Sequence, residues 1–139
     1  WIASSLETWD SDQEYRFVIE DGDSGEFLGS IALNQLIKAH QIGNLGYWIR
    51  KSALNQGIAK QACKLAVDYI FKHFNITRIE VHLINGNHAS DGVAKSIGGT
   101  YEGIQRNKLL FNGKPVDAKC YSITPEDVLW LVNGLGIAS

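Results

Sequence analysis

The sequence predicts an α/β (α+β) domain, and three observations carry that reading. Residues 15–20, YRFVIE, alternate so that Tyr15, Phe17 and Ile19 share one face, the two-residue period of a half-buried strand. Residues 58–74 carry one apolar stripe at helical spacing. The strand-like and helix-like runs follow the order strand, strand, strand, helix, strand, helix, strand, strand. With 139 residues, 45% hydrophobic content and two prolines, the chain is expected to form a single domain over 1–139.

The elements follow in order. Residues 1–14 are acidic and polar around Trp1 and Trp9, and no period assigns them a structure. The strand at 15–20 turns through DGDSGE into FLGSIALNQLI, which predicts an antiparallel hairpin. A polar connection, KAHQIGN, leads to a third strand, LGYWIR, at 45–50. Ile58, Ala62, Leu65, Ala66, Tyr69, Ile70 and Phe74 then form the apolar stripe of a long helix, with Lys60, Gln61, Lys64, Asp68 and Lys72 on its polar side. RIEVHLI at 78–84 reads as a strand, so strand, helix and strand suggest a crossover unit. A shorter helix is expected from near Asn87 to Ile97, closed by Gly98 and Gly99. Strands at 100–107 and 118–123 are joined around FNGKP, and a helix is expected to start at Pro125 with Thr124 as its cap.

Thirteen basic and fifteen acidic residues give a formal charge of −2, and no Lys/Arg run exceeds two, so nucleic acid is not an expected partner. No apolar run approaches the ~20 residues of a membrane-spanning helix, and no charged leader precedes an apolar segment. The expectation is a soluble, unsecreted, cytoplasmic protein. Cys63 and Cys120 are too few for a disulfide framework and are read as reduced and buried. His40, His73, His82 and His88 form no HExxH or HxH pattern, so no metal is expected. The chain opens at Trp1 and contains no methionine, which is read as a fragment, a processed product or a domain without its upstream part.

The chemistry centres on Leu54-Asn55-Gln56-Gly57-Ile58-Ala59-Lys60, where the third strand gives way to the long helix. The first turn of a helix has backbone N–H groups without internal partners and the positive end of the macrodipole, so it can hold a phosphate. Small residues at Gly57 and Ala59 would let that phosphate approach the backbone; the alternative is that Gly57 only shapes the turn. The stretch matches neither GxGxxG nor the P-loop. Thirty residues on, in Asn85-Gly86-Asn87-His88-Ala89-Ser90, Asn87 suits a helix N-cap and Ser90 falls in the first turn. Asn87 can cap and also serve a ligand, whereas Ser90 can equally be a solvent-facing hydroxyl.

Taken together, NLGYWIRKSALNQGIAKQA, RIEVHLINGNHAS, SIGGTYEGI and AKCYSI resemble the GNAT superfamily of N-acetyltransferases in order, spacing and residue type, over roughly residues 15–125. The group they resemble most is the ribosomal-protein alanine/serine N-acetyltransferases. The resemblance implies a mixed, mostly antiparallel central sheet with helices on both faces, here without the usual N-terminal strand and helices. It implies acetyl-CoA as co-substrate and no metal. The family's Q/R-x-x-G-x-G/A loop falls on Leu54 through Ala59, with Gln56, Gly57, Ile58, Ala59 and Lys60 at the CoA pyrophosphate and Leu54 departing from the usual Gln or Arg. Backbone groups at Ile49 and Arg50 would meet the pantetheine arm and thioester. Asn87 would contact the pantetheine side, and Ser90 would give a proton to the leaving thiolate.

The implied reaction is direct attack of a neutral amine on the thioester through a tetrahedral oxyanion, with Cys63 packed in the helix rather than acting as nucleophile. Tyr121 is a candidate proton donor or a core aromatic. The base is open: a carboxylate used by relatives is replaced near Leu109, leaving Glu102, Asp117 or a water bridging to Glu102 or His82. An α-amine, with pKa ~8, is roughly a tenth neutral at pH 7, whereas a lysine at ~10.4 would need ~3 kcal/mol more. The acceptor expected is therefore a protein or peptide N-terminus. A polyamine or antibiotic amine, or a CoA-binding domain with weak turnover, are the alternatives. The short N-terminus further implies an open strand edge, and with it a homodimer or a truncated chain.

Overall fold

A computed structural model describes residues 2–3, 6–8, 14–54 and 57–128, with side chains from Glu14 onward. The described residues form eight strands: β1 (Ile2–Ala3), β2 (Leu6–Thr8), β3 (Tyr15–Asp21), β4 (Phe27–Ile37), β5 (Ile42–Ile49), β6 (Arg78–Ile84), β7 (Thr100–Phe111) and β8 (Lys114–Ile123). Helix α1 (Ile58–His73) joins β5 to β6, and α2 (His88–Ser96) joins β6 to β7. The strands form one sheet in the order β1-β3-β4-β5-β6-β8-β7, with β2 also paired to β3. Every pairing is antiparallel except β5 with β6. The mixed, mostly antiparallel sheet matches the expectation.

The sequence left residues 1–14 unassigned, and the structure places two short strands there. β2 pairs with Tyr15–Phe17 and β1 with Glu20–Asp21, so the outer edge of β3, expected to be open, is largely occupied. The β3–β4 turn forms because the Asp21 carboxylate accepts from the N–H groups of Asp23 and Ser24, at 2.8 and 3.0 Å. β5 starts at Ile42, before the expected 45, because its antiparallel ladder with β4 reaches Ile37↔Ile42. β7 and β8 run past their expected limits as one long ribbon. Its turn is Asn112–Gly113, both at positive φ, the pair of conformations a tight two-residue hairpin needs. Pro125–Val128 form one 3-10 turn, and the cap runs the other way from expectation: Asp127 accepts from the N–H and hydroxyl of Thr124. The rest of the helix expected after Pro125 lies outside the described residues.

Both helices pack on one face of the sheet. Two right-handed crossovers running in the same direction along a sheet leave their helices on the same side. Of the helices expected on both faces, the described residues thus supply one face. α1 buries Ile58, Ala62, Cys63, Ala66, Val67 and Ile70 against Phe17, Ile31, Leu33 and Leu45. The buried line runs through Cys63 and Val67, both fully enclosed, while Leu65 and Tyr69 of the expected stripe sit at its margin, 39% and 38% exposed. Tyr69 still meets Phe17 edge-on at 5.7 Å, and Phe74 stacks on Tyr15 at 4.4 Å. On the other face, alternation presents a polar set that includes Arg16, Asn34, Asn44, Glu80 and His82, together with Trp48.

Candidate active site

The site begins with a missing ladder. β5 and β6 pair only at Ile42↔Arg78, Gly43↔Ile79 and Asn44↔Glu80, and then part. Each remains tied on its other side, β5 to β4 as far as Ile49 and β6 to β8 as far as Ile84, so a wedge opens between them. The Arg50 N–H donates to the Leu28 carbonyl at 2.8 Å, which fixes the phase of β5. Main-chain groups alternate in direction along a strand, so those of Tyr47 and Ile49 point the opposite way, into the wedge. Gly29 makes the β4 side possible: a Cβ there would stand 2.1 Å from the Trp48 carbonyl oxygen.

The wedge continues into a cleft of about 620 Å³. Tyr47 and Ile49 line it from β5, Gly57 to Lys60 from the start of α1, and Asn87 to Ser90 from the start of α2. Gly57 caps α1 at φ 72° and ψ 7°, in the left-handed region. It supplies no side-chain acceptor, and the first turn holds no acidic residue. The N–H groups of Ile58, Ala59 and Lys60 precede the first intrahelical bond, from Gln61 to the Gly57 carbonyl at 3.2 Å. Apart from the glycine itself and its chain neighbours, no atom of the described residues lies within 4 Å of where a Gly57 Cβ would sit. Uncompensated donors, the positive helix end and open space therefore coincide, which suits a phosphate group. Gln56 lies outside the described residues. Leu54 lines the cleft with its side chain half exposed.

At the second helix start, Asn87 Oδ1 accepts from the Ser90 N–H at 3.2 Å, an N-cap that leaves the amide nitrogen as the side chain's remaining donor. The Tyr47 hydroxyl donates to Ser90 Oγ at 3.2 Å, tying α2 to β5 across the cleft. Because Tyr47 gives its proton to Ser90, the Ser90 hydroxyl hydrogen is left for another acceptor. Burial raises the Tyr47 pKa, partly offset by that bond, so the phenol stays protonated at neutral pH. Alternation sends Trp48 to the other face, 55% exposed and stacked on Phe27 at 6.0 Å. Alternation along β5 lets only one of Tyr47 and Trp48 face the cleft, and the structure selects Tyr47.

The structure thus brings together Ile49, Gly57, Ile58, Ala59, Lys60, Asn87 and Ser90, and places three expected residues elsewhere. Arg50 has its N–H on Leu28 and its guanidinium on Glu26 and the Phe27 carbonyl, at 3.3 and 3.1 Å. Glu102 faces away from the cleft in a fork with Arg78, at 2.6 and 3.0 Å, and accepts from Ser122. The Arg78 bonds, with Ser122, hold its carboxyl down to about 2, which makes it a weak proton acceptor. Tyr121 is 2% exposed and donates to Asp91 at 2.6 Å, while Lys119 donates to the other Asp91 oxygen at 2.7 Å. Burial, then the Asp91 bond, push the Tyr121 phenol up to about 12. It ties β8 to α2 as a structural strut. Cys63 is fully enclosed and its thiol is pushed up to about 12 by burial.

Comparison with known proteins agrees with this geometry. A family profile described as an acetyltransferase (GNAT) domain matches residues 1–100. The Bacillus subtilis protein named "Probable N-acetyltransferase YjcK" is 32% identical over 128 residues, covering 91% of this chain and 71% of that protein. A solved chimera of the Vibrio cholerae spermidine N-acetyltransferase SpeG superposes with a TM-score of 0.80 at 25% identity, covering 86% of this chain and 70% of that one. The Vibrio fischeri ribosomal-protein-S5-alanine acetyltransferase superposes with a TM-score of 0.76 at 24% identity, covering 84% of this chain and 64% of that one, and shows the shared fold. Among the described residues no helix is long and apolar enough to cross a membrane. A parted pair of parallel strands, an open helix start at their mouth and the family match lead to one conclusion: the chain belongs to the GNAT family of acetyltransferases.

Proposed function

We propose that the chain transfers the acetyl group of acetyl-CoA to the α-amine of a protein or peptide N-terminus, in the cytoplasm. The observation that carries the reading is the open start of α1 beside the wedge between β5 and β6, with Tyr47 and Ser90 at the mouth. The N–H groups of Ile58, Ala59 and Lys60 would hold the pyrophosphate, with the Lys60 charge nearby. The Asn87 amide and the wedge-facing backbone of Tyr47 and Ile49 would hold the pantetheine arm, as a strand would hold its neighbour. The neutral amine attacks the thioester carbon, its N–C bond forms, and the oxyanion is stabilised by a strand N–H near Ile49. Collapse breaks the C–S bond. The thiolate takes the Ser90 hydroxyl proton, Ser90 takes that of Tyr47, and the proton lost by the ammonium returns through solvent.

Charge pairing supports an α-amine over a polyamine. Glu26 pairs with Arg50 at 3.3 Å, and Glu80 and Glu102 share Arg78 at 2.9 and 2.6 Å, which reduces their attraction to a polycation. An α-amine is roughly a tenth neutral at pH 7 and asks little of a base. The test is CoA release with peptides beginning in Ala or Ser, the same peptides blocked at the N-terminus but carrying lysine, and spermidine. The reading expects the free α-amine peptides to give the largest kcat/KM and blocking to abolish turnover. Preference for spermidine would favour the polyamine reading, and acetyl-CoA binding without CoA release from any amine would favour a binding domain.

A further inference from the structure

On the sheet face that neither α1 nor α2 covers, Glu80 and His82 lie two residues apart on β6, and His82 is the register partner of Cys120 on β8. One ligand atom from each, Glu80 carboxylate oxygen, His82 ring nitrogen and Cys120 Sγ, can be chosen so that all lie within 4.8 Å of one another. Sequence spacing concealed the group, because Cys120 comes from a strand 38 positions on, brought alongside only by the antiparallel register.

The imidazole is the second observation. Its side chain is 5% exposed, and Nδ1 stands 2.8 Å from Asn44 Oδ1. Asn44 donates its own amide to Asn34 at 3.0 Å, which turns its oxygen to the ring and places the imidazole proton on Nδ1. Nε2 then carries the lone pair, is buried, and has no hydrogen-bond partner. The Glu80 oxygen 3.4 Å from it is within ion-pair range but forms no hydrogen bond with it. A buried lone pair 3.4 Å from a carboxylate, in a group that includes the Cys120 thiol, with the other ring nitrogen anchored on a carbonyl oxygen, is the arrangement of a metal-ligating histidine.

We propose that Glu80, His82 and Cys120 form a three-ligand site for a zinc ion, with Asn44 orienting the imidazole and water filling the fourth position. Zinc accepts nitrogen, sulfur and oxygen donors at about 2.0–2.3 Å in a tetrahedron, so donors must stand roughly 3.3–3.8 Å apart. Binding would require the Glu80 and Cys120 side chains to turn toward Nε2 from the present separation of up to 4.8 Å. The Glu80 oxygen not facing Nε2 is held by Arg78 at 2.9 Å, and Glu102 offsets the Arg78 charge. Lys108 also lies within electrostatic reach of His82 and Cys120. On binding, the Cys120 S–H bond breaks, its proton passes to solvent and the Zn–S bond forms. The ion would join β6 to β8 beside Asn44↔Glu80, the last pair before β5 and β6 part.

Cobalt(II), then zinc(II), added to the metal-stripped full chain test this without reference to turnover. The expected result is a tetrahedral visible spectrum with a thiolate-to-cobalt charge-transfer band, displaced by zinc, and a zinc-dependent rise in Tm. Cys120→Ser should lose the charge-transfer band and Cys63→Ser should keep it. Asn44→Ala should weaken zinc binding about 10- to 100-fold, the usual effect of losing an orienting partner. Should Cys120→Ser unfold, His82→Gln gives the second reading, with at least a tenfold loss expected. A wild-type spectrum without the thiolate band, a band that survives Cys120→Ser, or zinc affinity indifferent to His82→Gln would overturn the site.

Discussion

Gly57→Ala separates the two roles the structure gives to the start of α1. At φ 72° an alanine is in the left-handed region, where a Cβ costs roughly 1–2 kcal/mol. Beyond its chain neighbours, no atom of the described residues lies within 4 Å of the added carbon, so none of them adds a clash to the strain. For a chain of this size that should lower Tm by about 3–10 °C. The same carbon projects into the space where the phosphate is to meet the backbone, so CoA affinity should fall at least tenfold, about 1.4 kcal/mol. Gly57→Asn is the control, because asparagine tolerates the left-handed conformation. It should recover much of the stability and still bind CoA weakly. Thermal melts with and without acetyl-CoA, together with calorimetric titration of CoA, give both quantities. Wild-type CoA affinity in either variant would refute the phosphate site at this helix start.

Further outcomes follow from the hydrogen bonds. Ser90→Ala should lower kcat by about 10²–10³-fold with little change in acetyl-CoA KM, and Tyr47→Phe by about tenfold, as expected for the proton donor and the group that recharges it; steady-state kinetics checks both, and equal, small effects would count against the relay. Tyr121→Phe should cost about 1–2 kcal/mol of stability through the lost Asp91 bond and leave kcat near wild type, as denaturant melts and kinetics would show. Glu102 has a folded pKa of about 2, below its ordinary 4.5, so its pairing with Arg78 stabilises above about pH 4.5 and is lost as pH falls toward 2. The stability difference between wild type and Glu102→Gln should therefore shrink across that window in acid melts.

Much of the scaffold was legible because periodicity and caps are local. RIEVHLI became β6 with the expected limits, Asn87 capped α2 as its residue type suggests, and the order of the later elements followed from their spacing. Gly57 and Ala59 announced the open helix start because glycine leaves φ unrestricted and both residues leave space beside the backbone. What escaped depended on register or on neighbours distant in sequence. The Tyr47–Ser90 bond spans 43 positions, and no local pattern states which of Tyr47 and Trp48 faces inward. Glu102 and Tyr121 were plausible by residue type, yet Arg78 and Asp91, each more than twenty positions away, decide what their protons do. The two short strands before Tyr15 could not be read from period because two and three residues are too few to establish an alternation. The stripe of α1 was displaced toward Cys63 and Val67, since a sheet surface, not hydrophobicity alone, decides which side of an apolar helix is buried.

Backbone amide shifts of the isotopically labelled chain during CoA titration bear most directly on the central claim. The N–H resonances of Ile58, Ala59 and Lys60 should move first and saturably, followed by those of Tyr47 and Ile49, while those of β7 stay in place. Saturable binding that leaves the three helix-start amides unmoved, or shifts confined to the opposite face of the sheet, would contradict the account.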